Sequence, residues 1–367
     1  MRPGSVLRVA WMMFFYYGCC SFQPIQGEPD HDAMTKKLAT LSVLFLALFF
    51  LSLAIGRFTV PVGTVAAILL SRLVSLPHYW SPEAETVLFT LRLPRILAAM
   101  LVGSALSVSG AAYQGMFRNP MVSPDLLGVS AGAGFGAALG MLLGFNRVSI
   151  QLCAFGCGLA AVGITYAVGV LLARKGEPVL TMILGGIIIG TLFTSFVSII
   201  KFLADPYNTL PAITFWLMGS LASISLPDLS VAAGPILTGT LVLTALRWRL
   251  NVMSFGDEEA RALGVRTGPL RLAVIVCATL MTATAVSISG IVGLVGLVVP
   301  HLARLLVGPN YTHLIPVSLV LGAIFLLAVD DLARVLFTVE IPLGIVTSLI
   351  GAPFFLYLLV NTRKGWV

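Results

Sequence analysis

Residues 180–203 read LTMILGGIIIGTLFTSFVSIIKFL and carry no charge before Lys201. Such a run satisfies its own backbone as a helix, and at about 1.5 Å per residue it is long enough to cross a hydrocarbon core about 30 Å thick. The same pattern recurs on both sides of it, at 38–56, 93–116, 125–144, 149–173, 226–247, 270–290, 292–307, 314–332 and 343–361, which makes ten segments in all. Pro, Gly or charge separates them, as in Asn119-Pro120, Arg174-Lys175-Gly176, Asp205-Pro206 and Gly308-Pro309. The run at 292–307 is short and is not expected to cross straight. Over the 367 residues, 58% are hydrophobic, 10% are charged and the mean hydropathy is +1.01, material from which no water-facing surface can be built. The fold class expected is all-α, a polytopic membrane protein of about ten transmembrane helices, with residues 34–367 as a single domain.

The formal charge of +7 is spread between the apolar runs, so it reads as topology and not as a nucleic-acid face. With the first segment starting inside, thirteen Lys and Arg fall on the cytoplasmic side, among them Lys36, Lys37, Arg174, Lys175, Arg363 and Lys364, and seven fall outside. This sets both termini in the cytoplasm. Three outer cations sit at segment ends, Arg92 and Arg95 in LRLPR and Arg334 in DDLAR, and a cation against the rule needs a reason. Residues 1–33 stand apart: WMMFFYYGCC and an acidic linker precede Met34, which itself opens a standard inward start. They read as an N-terminal extension, either a cleaved leader or an upstream start assigned ahead of Met34.

Chemistry inside the membrane is sparse. Gly132, Gly136 and Gly140, and likewise Gly186 and Gly190, recur every four residues on one helix face, a packing pattern. The acids lie outside the segment centres, with Asp125, Asp257, Glu258 and Glu259 near the inner face and Asp205, Asp228, Asp330, Asp331 and Glu340 near the outer. Without a midplane carboxylate, a proton- or ion-coupled transporter or an acid-lined channel acting alone is the weaker alternative. No phosphate-binding loop is present either, so ATP could drive transport only from another polypeptide. The five cysteines show no metal or disulfide spacing, Cys153 and Cys157 read as packing, and His301 has no second ligand at helical spacing. The loop MSFGDEEARALGVRTGPLR, 253–271, looks helical, with Asp257, Glu258 and Glu259 in a first turn and Gly264 as a stop.

The blocks LRLPRILAAMLVGSALSVSGAAYQGMFRNPMVSPDLLGVSAGAGFG (91–136), GDEEARALG (256–264), SGIVGLVGLVVPHLARLLVG (289–308) and DDLARVLFTVEIPLGIVTSLIGAPFFLYLL (330–359) together resemble the FecCD-type permeases of bacterial ABC importers. That resemblance implies an inner-membrane, multi-pass permease for iron-siderophore, haem or vitamin B12, with an oxyanion such as molybdate as a further cargo of the family. It implies a second permease subunit, two ATPase subunits and an outer substrate-binding protein, with cargo passing along the subunit interface in contact with lipid-embedded helices. No cofactor belongs to this chain, since ATP and Mg would sit on the ATPase, and the chain is itself no enzyme. Gly256, Asp257, Ala260, Arg261, Leu263 and Gly264 match the coupling helix that enters the ATPase. Arg92, Arg95 and Arg334 match arginines that pair with carboxylates of the binding protein, a role suited to the guanidinium fork. Pairing with Asp330, Asp331 or Glu340 is the alternative for these arginines. Phe215, Trp216 and Met218 match a short helix at the outer mouth of the pathway, where an interfacial anchor is the alternative.

Overall fold

The computed structural model describes residues 31–361 except 57, 59, 73, 75–76, 78, 173–177 and 337–338. The extension at 1–30 and the cations Arg57, Arg174, Lys175, Arg363 and Lys364 lie outside the described residues. By contact the chain divides into Met1–Lys36 and Lys37–Val367. Of the first unit the described part is helix; the second contains everything below.

The helices are α1 (His31–Ala54), α2 (Val62–Leu70), α3 (Pro82–Met116), α4 (Val129–Leu142), α5 (Arg147–Leu172), α6 (Pro178–Leu203) and α7 (Thr209–Leu217). They continue as α8 (Leu226–Ala245), α9 (Arg247–Ser254), α10 (Asp257–Ala262), α11 (Thr267–Ser289), α12 (Val295–Val307), α13 (Tyr311–Val335) and α14 (Leu343–Asn361). No strand occurs among the described residues. Each of the ten apolar runs is a helix: seven are long and apolar enough to cross a membrane, and α4, α12 and α14 are the shorter apolar ones. At about 1.5 Å per residue, the 14 residues of α4 reach only about two-thirds of the way across a bilayer core.

Two boundaries are corrected. Helix α3 begins at Pro82 and not at 93, because the expected break at Leu93-Pro94 is absorbed: residues Val87–Arg92 form a π-helical turn. Proline has no N–H to donate one turn back and its ring crowds that carbonyl, and a widened turn relieves both. At Asp125 the chain forms a one-turn 3-10 helix, Pro124–Leu127, and α4 starts only after Gly128.

The core is α3, buried along most of its length between α13, α11 and α12. Helix α3 runs antiparallel to α13: Arg95 meets Asp330, Gly103 meets Gly322, and Gly115 meets Tyr311. A Cβ on Gly103 would overlap the carbonyl oxygen of Gly322, and one on Gly110 the carbonyl oxygen of Gly296 in α12. Small residues therefore decide how closely these backbones approach, as is usual where lipid supplies no hydrophobic drive between helices. Gly132 and Gly136 do the same for α4 against the backbone carbonyls of Cys157 and Cys153 in α5, which bears out the packing reading of the glycine stripe. Hydroxyls join the core helices, with Ser104 donating to the Leu319 carbonyl at 2.9 Å and Tyr113 and Thr279 sharing a bond at 3.1 Å.

Candidate functional site

The antiparallel register sends LRLPR and DDLAR to one end of the bundle and the 253–271 segment to the other, beside Arg118 just past the end of α3. At the first end the three arginines turn inward. Arg92, 5% exposed, donates to the carbonyls of Leu53 at 2.5 Å, Ala54 at 3.1 Å and Phe58, closing the C-terminal end of α1 where unpaired carbonyls collect partial negative charge. Arg95, 8% exposed, lays Nε and Nη2 on Asp330 at 2.7–3.0 Å and also pairs with Glu340. Arg334 pairs with Asp330 at 3.2 Å and with Asp331, which in turn accepts from Ser52. Asp330 has no exposed surface. The knot ties α1, α3, α13 and the turn before α14 together, and its charges are compensated within the chain, the condition under which a buried ion is tolerated. For Arg95 and Arg334 this is the alternative pairing named above. All three side chains are thus engaged within the chain.

At the other end α10 is a separate helix of six residues. Gly256 (φ 140°) admits the turn into it and Gly264 (φ 81°) the turn out, conformations that a side chain would strain. The amides of Gly264 and Val265 donate to the carbonyls of Arg261 and Ala260 at 3.0 and 2.9 Å, which closes the helix. Glu258, Glu259, Arg261 and Leu263 are exposed, the last at 61%. None of Ala260 is exposed, and its methyl seats α10 against the rest of the chain. Asp257 also faces inward, both carboxylate oxygens lying 3.0–3.1 Å from Arg271 Nη2 in α11. Phe255, 71% exposed, sits just before Gly256, and sequence reading missed it because one apolar residue in a loop carries no periodic signal.

Of the three residues expected at a pathway mouth, only Phe215 is exposed. Trp216 packs on Ala133, Ala137, Ala154 and Val286. Met218 is half-buried, and its carbonyl accepts from Gly344 at 2.9 Å. The end of α7 is thus stitched to the starts and ends of other helices, since Ser220 also donates to the Ser289 carbonyl at 2.8 Å.

A feature that the sequence reading passed over lies on α6. Thr191, Thr194, Ser195 and Ser198 form an exposed seam on that helix, each hydroxyl donating at 2.8–3.1 Å to the carbonyl four residues earlier. With their protons so used, the oxygens face outward as weak acceptors. The seam runs into a groove of about 440 Å³ whose polar lining is Ser123, Asp125, Ser130, Thr191 and Thr194. The Ser130 hydroxyl donates to the Asp125 carboxylate. Close approach of the Leu126 carbonyl to Gly186 forms the floor. A count of hydroxyls on α6 at helical spacing would have found the seam in the sequence. Among the described residues no three His, Cys, Asp or Glu are grouped to hold a metal.

The profile of the FecCD transport family matches residues 44–361. The molybdate import system permease protein MolB of Haemophilus influenzae is 38% identical over 334 residues, covering 91% of this chain and 98% of that protein. The cobalamin import system permease protein BtuC of Halobacterium salinarum is 40% identical, covering 76% of this chain and 74% of that one. A solved structure of a metal-chelate type ABC transporter in an inward-facing conformation superposes with a TM-score of 0.78 at 38% identity, covering 89% of this chain and 99% of that chain.

Proposed function

The chain belongs to the FecCD transport family, and from that premise we propose that it is the membrane-spanning permease subunit of an ATP-binding cassette importer, carrying a metal chelate inward. The observation that carries the reading is the pairing of full-length similarity to import permeases with a free-standing exposed helix, α10, at one end of an otherwise close-packed bundle. A transporter without a nucleotide site needs such a handle for an ATPase to grip. Exposed Phe255 and Leu263 flank the charged turn of α10, so a receiving cleft would bury two apolar anchors around a polar centre, the arrangement of a binding hot spot. ATP and Mg belong to that partner, and the chain itself catalyses nothing.

The hydroxyl seam of α6 is the proposed wall of the cargo path, completed by a second copy of the permease. Its oxygens offer many weak contacts and no tight one, so a bulky polar chelate can slide along it. The groove at its end contains a carboxylate, Asp125, which disfavours a bare oxyanion by like charge. That like charge supports a metal chelate as cargo in preference to the molybdate of one relative. An outer binding protein supplies the cargo. Its proposed contact at Arg92, Arg95 and Arg334 would have to break the bonds of the inward-turned knot, so the geometry supports docking on the knot's outer rim, where Glu340 is the more exposed member.

The test is Leu263→Asp combined with Phe255→Asp. Both side chains are exposed, so the melting temperature in detergent should stay at the wild-type value. Co-expressed ATPase subunits should no longer co-purify, and retention of the ATPase at wild-type yield would refute the assignment of α10.

A further inference from the structure

We propose that the Asp257–Arg271 ion pair is the strut that carries displacement of α10 into the core helix α11. The inference rests on the reading that an ATPase grips α10. Backbone joins α10 to its neighbours on both sides, from α9 and, through residues 263–266, to α11, and two side-chain contacts add to it: the buried methyl of Ala260 and this pair. The methyl contact is non-directional and slides under load. The ion pair has a fixed geometry, with Arg271 Nη2 bridging both oxygens of Asp257 at 3.0 and 3.1 Å and the arginine side chain only 11% exposed. Asp257 is itself 33% exposed, so the contact is partly open to water, but a charge-assisted pair of fixed geometry is stiffer than the methyl contact and braces the four-residue backbone link to α11.

What lies beyond Arg271 makes the pair consequential. Arg271 is in the second turn of α11, a helix of 23 residues and so about 34 Å long, buried along Val274, Ala278, Met281 and Ala285. At the far end the carbonyl of Ser289 accepts from Ser220 at 2.8 Å, and Gly290 lies so close to the Trp216 carbonyl that a Cβ there would overlap it. Movement of α11 along its axis therefore reaches the end of α7 at the opposite end of the bundle. Asp257 thus acts as a positioning residue, since its carboxylate is engaged inside the chain and reaches a partner only through α10 as a whole.

The experiment uses the complete importer, permease with its ATPase subunits and binding protein, in proteoliposomes. Cargo uptake and ATP hydrolysis are measured together for wild type, Arg271→Gln, Arg271→Lys, Asp257→Asn and the double variant Asp257→Asn with Arg271→Gln. Cargo moved per ATP should fall by about tenfold in Arg271→Gln, a factor within the usual range of coupling between sites. Arg271→Lys should recover most of it by restoring a cation. The double variant should be no worse than either single one, because a pair acting as a unit is lost once. A merely structural role would lower melting temperature and yield while leaving cargo per ATP unchanged in the folded fraction, and that result overturns the strut. Additive losses in the double variant overturn it as well. If wild-type permease never engages an ATPase, the underlying reading falls and takes the strut with it; if wild type couples and Arg271→Gln couples equally well, the strut alone falls.

Discussion

Asp330 is the residue on which the charge knot at one end of the bundle turns. It has no exposed surface and meets two guanidiniums, Arg95 and Arg334, from two helices. Asp330→Asn would leave both cations under-compensated in a buried site, a change worth about 3–5 kcal/mol of stability; the melting temperature in detergent should drop sharply, and an unchanged value would contradict the knot. Glycine substitutions separate two opposing effects. Alanine is favoured over glycine in a helix by about 1 kcal/mol, but at Gly110 the added methyl overlaps the Gly296 carbonyl, and backbone cannot give way without parting two helices. Gly110→Ala should therefore destabilise by about 1–3 kcal/mol. Gly163→Ala, with nothing within 4 Å of the new carbon, should be neutral or stabilising by the same thermal assay. At this scale the sequence is half legible. The acids three and four residues before Arg334 announce its partners by helical spacing, whereas Arg95 and Asp330, 235 positions apart, are brought together only by the antiparallel register of α3 and α13.

Among the elements, α6 and α10 are exposed in the most purposeful way. If the α6 seam lines a water-filled path, cysteines at Thr191, Thr194 and Ser198 in a background lacking other thiols should react with a membrane-impermeant thiol reagent. Cysteines at Leu192 and Ile199, exposed but turned round the helix away from the hydroxyl seam, should react slowly; equal labelling at all five would contradict a path along the seam. Apolar periodicity made the ten long runs legible because each is nearly uniform over its length. It did not reveal α2, α9 or the stretch of α3 before Leu93, where Pro82, Glu83, Glu85 and Thr86 interrupt the apolar pattern. There the helix persists because Ser81 caps it, accepting from the amide of Ala84 at 3.3 Å, and because a π turn accommodates Pro94. Element α10 was legible from its acids and its glycine stop, but its inward face was not, since Asp257 and Ala260 point to the core only once α11 is in place.

Among the described residues of Lys37–Val367 the helices carry a charge knot at one end and the exposed helix α10 at the other, and between them Asp125 faces Gly186, Gly190 and Thr191 at the mid-length of α6. A lone carboxylate is not a relay, and it is the match to the FecCD family and the full-length similarity to ABC import permeases that favour transport powered by an ATPase over transport driven by an ion gradient. The most direct measurement is uptake of a labelled iron chelate into proteoliposomes containing the permease, with its ATPase subunits, ATP and binding protein supplied or withheld in turn. Uptake should require all three and be indifferent to collapse of proton and sodium gradients; uptake by the permease alone, driven by an ion gradient without ATP, would contradict the account.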